Sequence, residues 1–231
     1  MTSEQREPAV RAAYDIVADT YADEFPSTGP ETPIELAMIA HFASLLPAPR
    51  RVLDAGCGAG RMLPVLAGLG CEVEGVDLSP GMIRRAQRDH GEFRSQVASL
   101  SDLPFSAAEF DGVFSWYSTI HSPDGALPQI FSELRRVLRS DGLVLVGFQT
   151  GRGIVDVAPA YRPRGHEVAL VRYPRAADEM GEKLAAAGFR EVGRLVEAAN
   201  GAARGGQAVL IATVKSRGVV SFLLLPVVGD G

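Results

Sequence analysis

The residue types this chain has little of narrow its function first. Of 231 residues only two are cysteine, Cys57 and Cys71. Neither stands in a CxxC pair or a Cys/His array with metal-ligand spacing, which excludes a zinc ribbon, a thioredoxin-type motif and a disulfide framework. Both read as reduced, buried thiols, and no metal is expected. Long hydrophobic runs are also missing. No stretch reaches the roughly 20 apolar residues of a membrane span, and the polar segment from Met1 to Val10 lacks the apolar core of a secretion signal. The reading is a cytoplasmic protein with no membrane partner. A basic surface is missing too. Lys and Arg number 23 against 28 Asp and Glu, for a net charge of -5, and the bases cluster only in short pairs such as Arg84-Arg85 and Arg135-Arg136. Without a stripe to track phosphates, nucleic acid is not an expected partner.

What is present describes an ordinary globular chain, 46% hydrophobic and 22% charged, of a length that suits one α/β domain with a buried core. Val10, Tyr14, Val17, Ala18 and Tyr21 recur at helical spacing and predict a helix over 9–25 that ends at Phe25-Pro26. Thr32 opens a second helix reaching Leu46, with Pro33 at its first position and Glu35 three residues on, the pattern of a capping box. Beyond these two helices, strands are predicted at 51–55, 72–77, 93–97, 112–116 and 143–149, with helices between them at about 60–69, 80–90, 104–109, this one short or irregular, and 125–139. Alternation of this kind implies a parallel sheet with helices on both faces. A last helix over 177–187 is closed by Gly188, and strands at 191–197 and 207–214 follow as an antiparallel hairpin at one sheet edge. Residues 151–170 fit no regular element, and a long loop after a strand is often functional. The apolar tail over 216–231 receives no assignment.

The turn after the first strand carries the chemistry. Val52-Leu53-Asp54-Ala55 runs into Gly56-Cys57-Gly58-Ala59-Gly60, and glycines there permit positive φ and a close approach of ligand to backbone. The second strand ends in Asp77, 21 residues after Gly56, where a carboxylate can accept two hydrogen bonds from ribose hydroxyls. Dinucleotide binding would want a third glycine at position 61, which is Arg61, so NAD is not expected.

The compressed G-x-G-x-G turn resembles the S-adenosylmethionine (SAM) motif of class I methyltransferases. The resemblance continues through Asp77-Leu78-Ser79-Pro80-Gly81-Met82, Asp102-Leu103-Pro104-Phe105, Phe110-Asp111-Gly112-Val113 and the run from Leu134 to Gly142, and so covers about residues 50–150. It implies an α/β, Rossmann-like, doubly wound, mostly parallel seven-stranded sheet with an antiparallel edge hairpin and an N-terminal helical cap. One domain over 1–231 then divides into a cap or lid (1–49), a SAM-binding core (50–150), an acceptor-side loop (151–172), a C-terminal helix and strands (173–215) and the tail.

By the same resemblance, SAM is the cofactor and S-adenosylhomocysteine the product. Asp54 to Gly60, including Ala55 and Cys57, flank the methionine part with Gly56 and Gly58 giving backbone contact, Asp77 holds the ribose, Leu78 and Met82 pack on the adenine, and Arg61 and Ser79 are further cofactor-side candidates. Members of the family commonly carry an acid where this chain has Ser99; Ser99 and the Leu100 amide are the adenine partners expected here, with Asp102 as a competing candidate. The fourth strand, ending in Ser115 and Trp116, leads to His121, expected either as the base that deprotonates an acceptor or as a ligand of the cofactor carboxylate. Tyr14 and Tyr21 on the first helix make an aromatic lid or simply pack. His166 and Tyr21 are further acid–base candidates, with Tyr161 and Arg164 close to His166 in sequence. The acceptor implied is a small molecule of natural-product type, methylated on oxygen, nitrogen or electron-rich carbon. A SAM-binding sensor or pseudo-enzyme is the alternative, and a homodimer is left open.

Overall fold

A computed structural model describes residues 3–199 and 205–215 of the chain; the tail over 216–231 lies outside them. Five strands, β1 (Arg51–Ala55), β2 (Glu72–Asp77), β3 (Arg94–Val97), β4 (Phe110–Trp116) and β5 (Leu138–Gln149), pair in parallel. Two short strands, β6 (Val155–Asp156) and β7 (Val171–Arg172), form a separate ladder. β8 (Phe189–Glu197) and β9 (Gln207–Val214) close the main sheet antiparallel to each other, with β9 antiparallel to β5. The order is β3-β2-β1-β4-β5-β9-β8. This is the Rossmann-like, mostly parallel seven-stranded sheet with its antiparallel edge hairpin.

The central strands are apolar on both sides because both faces are covered: every residue of β4 is buried, as is Gly142 to Phe148 of β5. On one face α2 (Pro33–Leu45) and α3 (Leu63–Gly68) bring Ile39, Phe42 and Leu66 onto Val52, Phe114 and Leu145. On the other, α5 (Leu127–Val137) and α6 (Ala177–Ala186) bring Leu127, Phe131, Leu134, Met180 and Leu184 onto Leu53, Val113 and Val144. Each such burial stabilises the fold by about 1.5–3 kcal/mol. α1 (Ser3–Glu24) lies outside this sandwich and packs on α4 (Pro80–Asp89).

Local chemistry sets most of these boundaries. The capping box at α2 is complete: Thr32 Oγ1 accepts from the Glu35 amide, and Glu35 Oε2 accepts from the Thr32 amide at 2.7 Å. Gly188, after α6, takes φ +90°. Two expectations are corrected. The helix expected over 104–109 does not form. Arg136 of α5 reaches across to donate to the carbonyls of Leu103 and Phe105, at 2.9 and 2.7 Å, so those acceptors are taken by a guanidinium instead of a helical ladder. The loop over 151–170 is not irregular throughout. Val155 and Asp156 pair with Arg172 and Val171, and two single turns of 3-10 helix, Ala158–Ala160 and Arg162–Arg164, stand between them.

Candidate active site

Strand order reverses between β1 and β4, and the chain leaves these neighbours in opposite directions, which opens a crevice at their C-terminal ends. A cavity of about 760 Å³ occupies it. Its floor is the turn after β1. The Gly56 and Cys57 amides both donate to the Val76 carbonyl at 2.8 Å, and the Gly58 amide donates to Asp77 Oδ2 at 2.9 Å, so β2 holds the turn in shape. Gly56, at φ +90°, abuts Ser118, and a Cβ there would overlap that side chain. Gly58, at φ +55°, faces open space.

Two carboxylates flank the turn in different states. Asp77 accepts from the Gly58 and Ser79 amides; burial lifts its pKa to about 6, with those two amides pulling it back. Asp54 is 1% exposed, and among the described residues its Oδ2 has no partner. Burial drives its pKa to about 8, opposed by Arg61 and reinforced by Asp77. An unpaired buried carboxyl at the edge of a cavity is a ready site for a cation. Arg61 itself is occupied: its two terminal nitrogens donate to Glu31 Oε1 and Oε2 at 2.7 Å each, and Glu31 Oε1 also accepts from Trp116 Nε1 at 3.0 Å.

The roof is α1. On one side its Asp15 accepts from Ser79 Oγ and the Gly81 amide, at 2.6 and 2.8 Å, while Asp19 and Asp23 accept from Arg85. On the other, Thr20 bonds His166 Nε2 at 2.6 Å and Glu24 pairs with Arg164. Tyr14 and Tyr21 stand edge to face between these clasps, ring centroids 6.1 Å apart. The Val171 carbonyl can only accept, so His121 Nδ1 donates to it at 2.6 Å, and Nε2 accepts from the Tyr14 hydroxyl at 2.8 Å. Burial lowers the His121 pKa to about 4; the Val171 carbonyl opposes this and the Arg172 charge adds to it. The imidazole is therefore neutral near pH 7, which removes the near-neutral titration that made it attractive as a base.

Of the residues singled out from sequence, Tyr14, Tyr21, Asp54, Gly56, Cys57, Gly58, Arg61, Asp77, Leu78, Met82, Leu100, Trp116 and His121 line this one cavity. Five are turned away from it. Ala55 is fully buried in the sheet core. Ser79 caps α4 through the Met82 amide. Ser99 is taken by Glu7 and Ser101, and Ser115 by Ser118 at 2.6 Å. His166 is absent from the lining, and its Nε2 hydrogen-bonds Thr20 Oγ1 of α1. Cys57 contributes backbone, while its thiol packs with Leu63 and Ile83. Sequence reasoning missed Glu7, Glu31, Gln149 and Arg172, which also line the cavity. Their approach depends on contacts between distant segments, and no local pattern marks them. Among the described residues, no cluster could hold a metal ion, and no helix is long and apolar enough to cross a membrane.

Residues 52–142 match the family model described as a methyltransferase domain. The chain is 31% identical to a malonyl-[acyl-carrier protein] O-methyltransferase of Geobacter sulfurreducens over 159 residues, 62% of this chain and 57% of the relative. It spans about half the length of the curated relatives it matches. A SAM-dependent methyltransferase structure from Methanosarcina mazei superposes with a TM-score of 0.68 at 19% identity, covering 80% of this chain and 99% of that one. The 1,6-didemethyltoxoflavin-N1-methyltransferase of Burkholderia thailandensis, solved with 1,6-didemethyltoxoflavin and S-adenosylhomocysteine, gives 0.61 at 22%, covering 87% and 88%. At these identities the structures establish a shared fold.

Proposed function

We propose that the chain, whose residues 52–142 match a methyltransferase-domain model, is a class I SAM-dependent methyltransferase that transfers the methyl group of SAM to a small-molecule acceptor by in-line displacement. The observation that carries this reading is Asp54: a buried carboxyl oxygen without a partner among the described residues, beside a glycine turn whose Gly58 faces open space, in the lining of one cavity of about 760 Å³. The residues fit the cofactor. Asp54 suits an ammonium, Asp77 has lone pairs left for two ribose hydroxyls, and Leu78, Met82 and Leu100 offer apolar surface to a purine.

When bound, SAM supplies an electrophilic methyl group on a sulfonium that is already a good leaving group. What the chain's own residues add is alignment and exclusion of water. Tyr14 and Tyr21 cover the turn, and ring faces there favour a cation. His121, neutral and fixed in one tautomer, holds the Tyr14 hydroxyl proton, which leaves a phenolic lone pair for the cavity. In this reading His121 is a positioning residue that acts through Tyr14, and the acceptor enters beneath the loop over 151–172. The acceptor is of natural-product type, and the reaction belongs to the cytoplasm. Calorimetry with SAM on the full chain, followed by a screen of aromatic, indole-like and hydroxylated metabolites for S-adenosylhomocysteine release, tests the proposal. Saturable binding with product release is the expected result. Binding with no turnover across the screen would favour the sensor alternative, and absence of binding would overturn the reading.

A further inference from the structure

The charges around the cavity do not balance one to one, and among the described residues two charged groups of its lining, Arg172 and Asp54, keep a buried atom without a hydrogen-bond partner. Three arginines line it. Arg61 is held by both oxygens of Glu31, and Arg164 pairs with Glu24. Arg172 has no ion pair among the described residues, and its buried Nε has no hydrogen-bond partner. At the other end, Asp54 is the carboxyl whose buried oxygen lacks a partner. Arg172 is half-buried, and a buried guanidinium nitrogen with neither partner nor counter-charge costs free energy that an anionic ligand in the cavity can offset.

The backbone under Arg172 is fixed in advance. Arg172 pairs with Val155 in the short ladder, the Val171 carbonyl accepts from His121 Nδ1, and the Tyr173 amide donates to the Ile120 carbonyl at 2.8 Å. Gln149, whose buried side-chain oxygen also lacks a partner among the described residues, lines the same cavity, as do the apolar or aromatic Ile130, Tyr161 and Leu170. A planar fork of donors in a cavity with apolar lining is matched by a carboxylate, which can accept two parallel hydrogen bonds from it. Resting on the methyltransferase reading above, we propose that the acceptor carries a carboxylate anchored by Arg172, and that Arg172 sets specificity for acids over their neutral analogues.

Two alternatives are less well supported. Five carboxylates line the cavity, those of Glu7, Glu24, Glu31, Asp54 and Asp77, against three arginines, an environment that resists a dianionic phosphate. The cofactor's own carboxylate is a poorer match as well: the arginine whose charge acts on Asp54 is Arg61, whereas Arg172 acts on His121.

The test is calorimetry on the full chain loaded with S-adenosylhomocysteine, using matched acid and amide pairs: benzoate and benzamide, salicylate and salicylamide, indole-3-acetate and its amide. At least one acid should bind about ten- to a hundred-fold more tightly than its amide, the size of a charge-assisted hydrogen bond. Arg172→Gln should erase that preference and leave S-adenosylhomocysteine affinity unchanged; Arg172→Lys should keep part of it and serves if the glutamine variant does not fold. Amides that bind as well as acids, a panel with no binder at millimolar concentration, or a preference that survives Arg172→Gln would each overturn the proposal. So would loss of S-adenosylhomocysteine affinity in Arg172→Gln, which would assign the arginine to the cofactor. If the wild type fails to bind S-adenosylhomocysteine at all, the methyltransferase reading fails; the same acid and amide pairs on the unloaded chain then still decide whether Arg172 is an acid anchor.

Discussion

At one end of the cavity the functional groups stand on strand ends or in the turn that follows them; at the other they are assembled from segments far apart in the chain. Asp54 and Asp77 belong to neighbouring parallel strands, and the glycine turn between them is fixed by amide bonds to Val76 and Asp77. The other end joins Tyr14 to His121, Thr20 to His166 and Glu24 to Arg164, contacts that span more than a hundred residues each. A site built from backbone and sheet register is rigid and local. One built from side chains of α1 and a loop can change without disturbing the sheet.

The largest effect should come from breaking the rigid end. Asp77→Asn removes the charge that receives ribose hydroxyls but keeps an oxygen for the turn, so SAM affinity by calorimetry should fall about 100- to 1,000-fold with little change in thermal midpoint. An unchanged affinity would mean that Asp77 only orders the turn.

The two glycines of the turn sharpen the contrast further. Gly56→Ala places a methyl group into Ser118 at positive φ and should cost about 2–4 kcal/mol in denaturant unfolding. Gly58→Ala meets no atom, so strain of about 1 kcal/mol is the stability cost, yet it fills the cradle and should weaken SAM binding about ten-fold or more. Equal losses of stability in the two variants would break the distinction between a packing glycine and a ligand glycine.

A pH titration reads the unpaired carboxyl directly. The Asp54 pKa is raised to about 8 in the folded chain without ligand. Its contribution to stability is therefore complete below the ordinary carboxyl value and is lost as pH rises through about 8. Cation binding runs the other way, because it needs the ionised form: SAM affinity should fall as pH drops below about 8, by up to about ten-fold per unit. Asp54→Asn should flatten that slope, and a slope that persists would move the titrating group elsewhere.

The smallest effect belongs to the lid. Thr20→Val removes one hydrogen bond to His166 and should raise the acceptor KM about two- to five-fold while SAM affinity stays near wild type. A matching loss in SAM affinity would show that the two ends are one unit.

The same contrast explains what could be read in advance. The strands at 51–55, 72–77 and 207–214 and the capping box at Thr32 follow from periodicity and nearest neighbours, and the structure has them at those positions. The missing helix at 104–109 turns on Arg136, some thirty residues away, and the short ladder of β6 and β7 on a pairing across the whole loop. Ser99, Ser115 and His166 were legible as polar residues near motif ends, but their partners Glu7, Ser118 and Thr20 decide which way they face. Arg172 carries no sequence signal, since an unpaired charge becomes visible only when its surroundings are known.

The central claim, that the turn after β1 and the end of β2 hold SAM, is tested most directly by a crystal structure of the full chain with S-adenosylhomocysteine. Both ribose hydroxyls should lie within hydrogen-bond distance of Asp77, the ammonium against Asp54 Oδ2 and the backbone of Gly58 against the ligand; a ligand bound elsewhere in the cavity, with Asp54 still unpartnered, would overturn that placement.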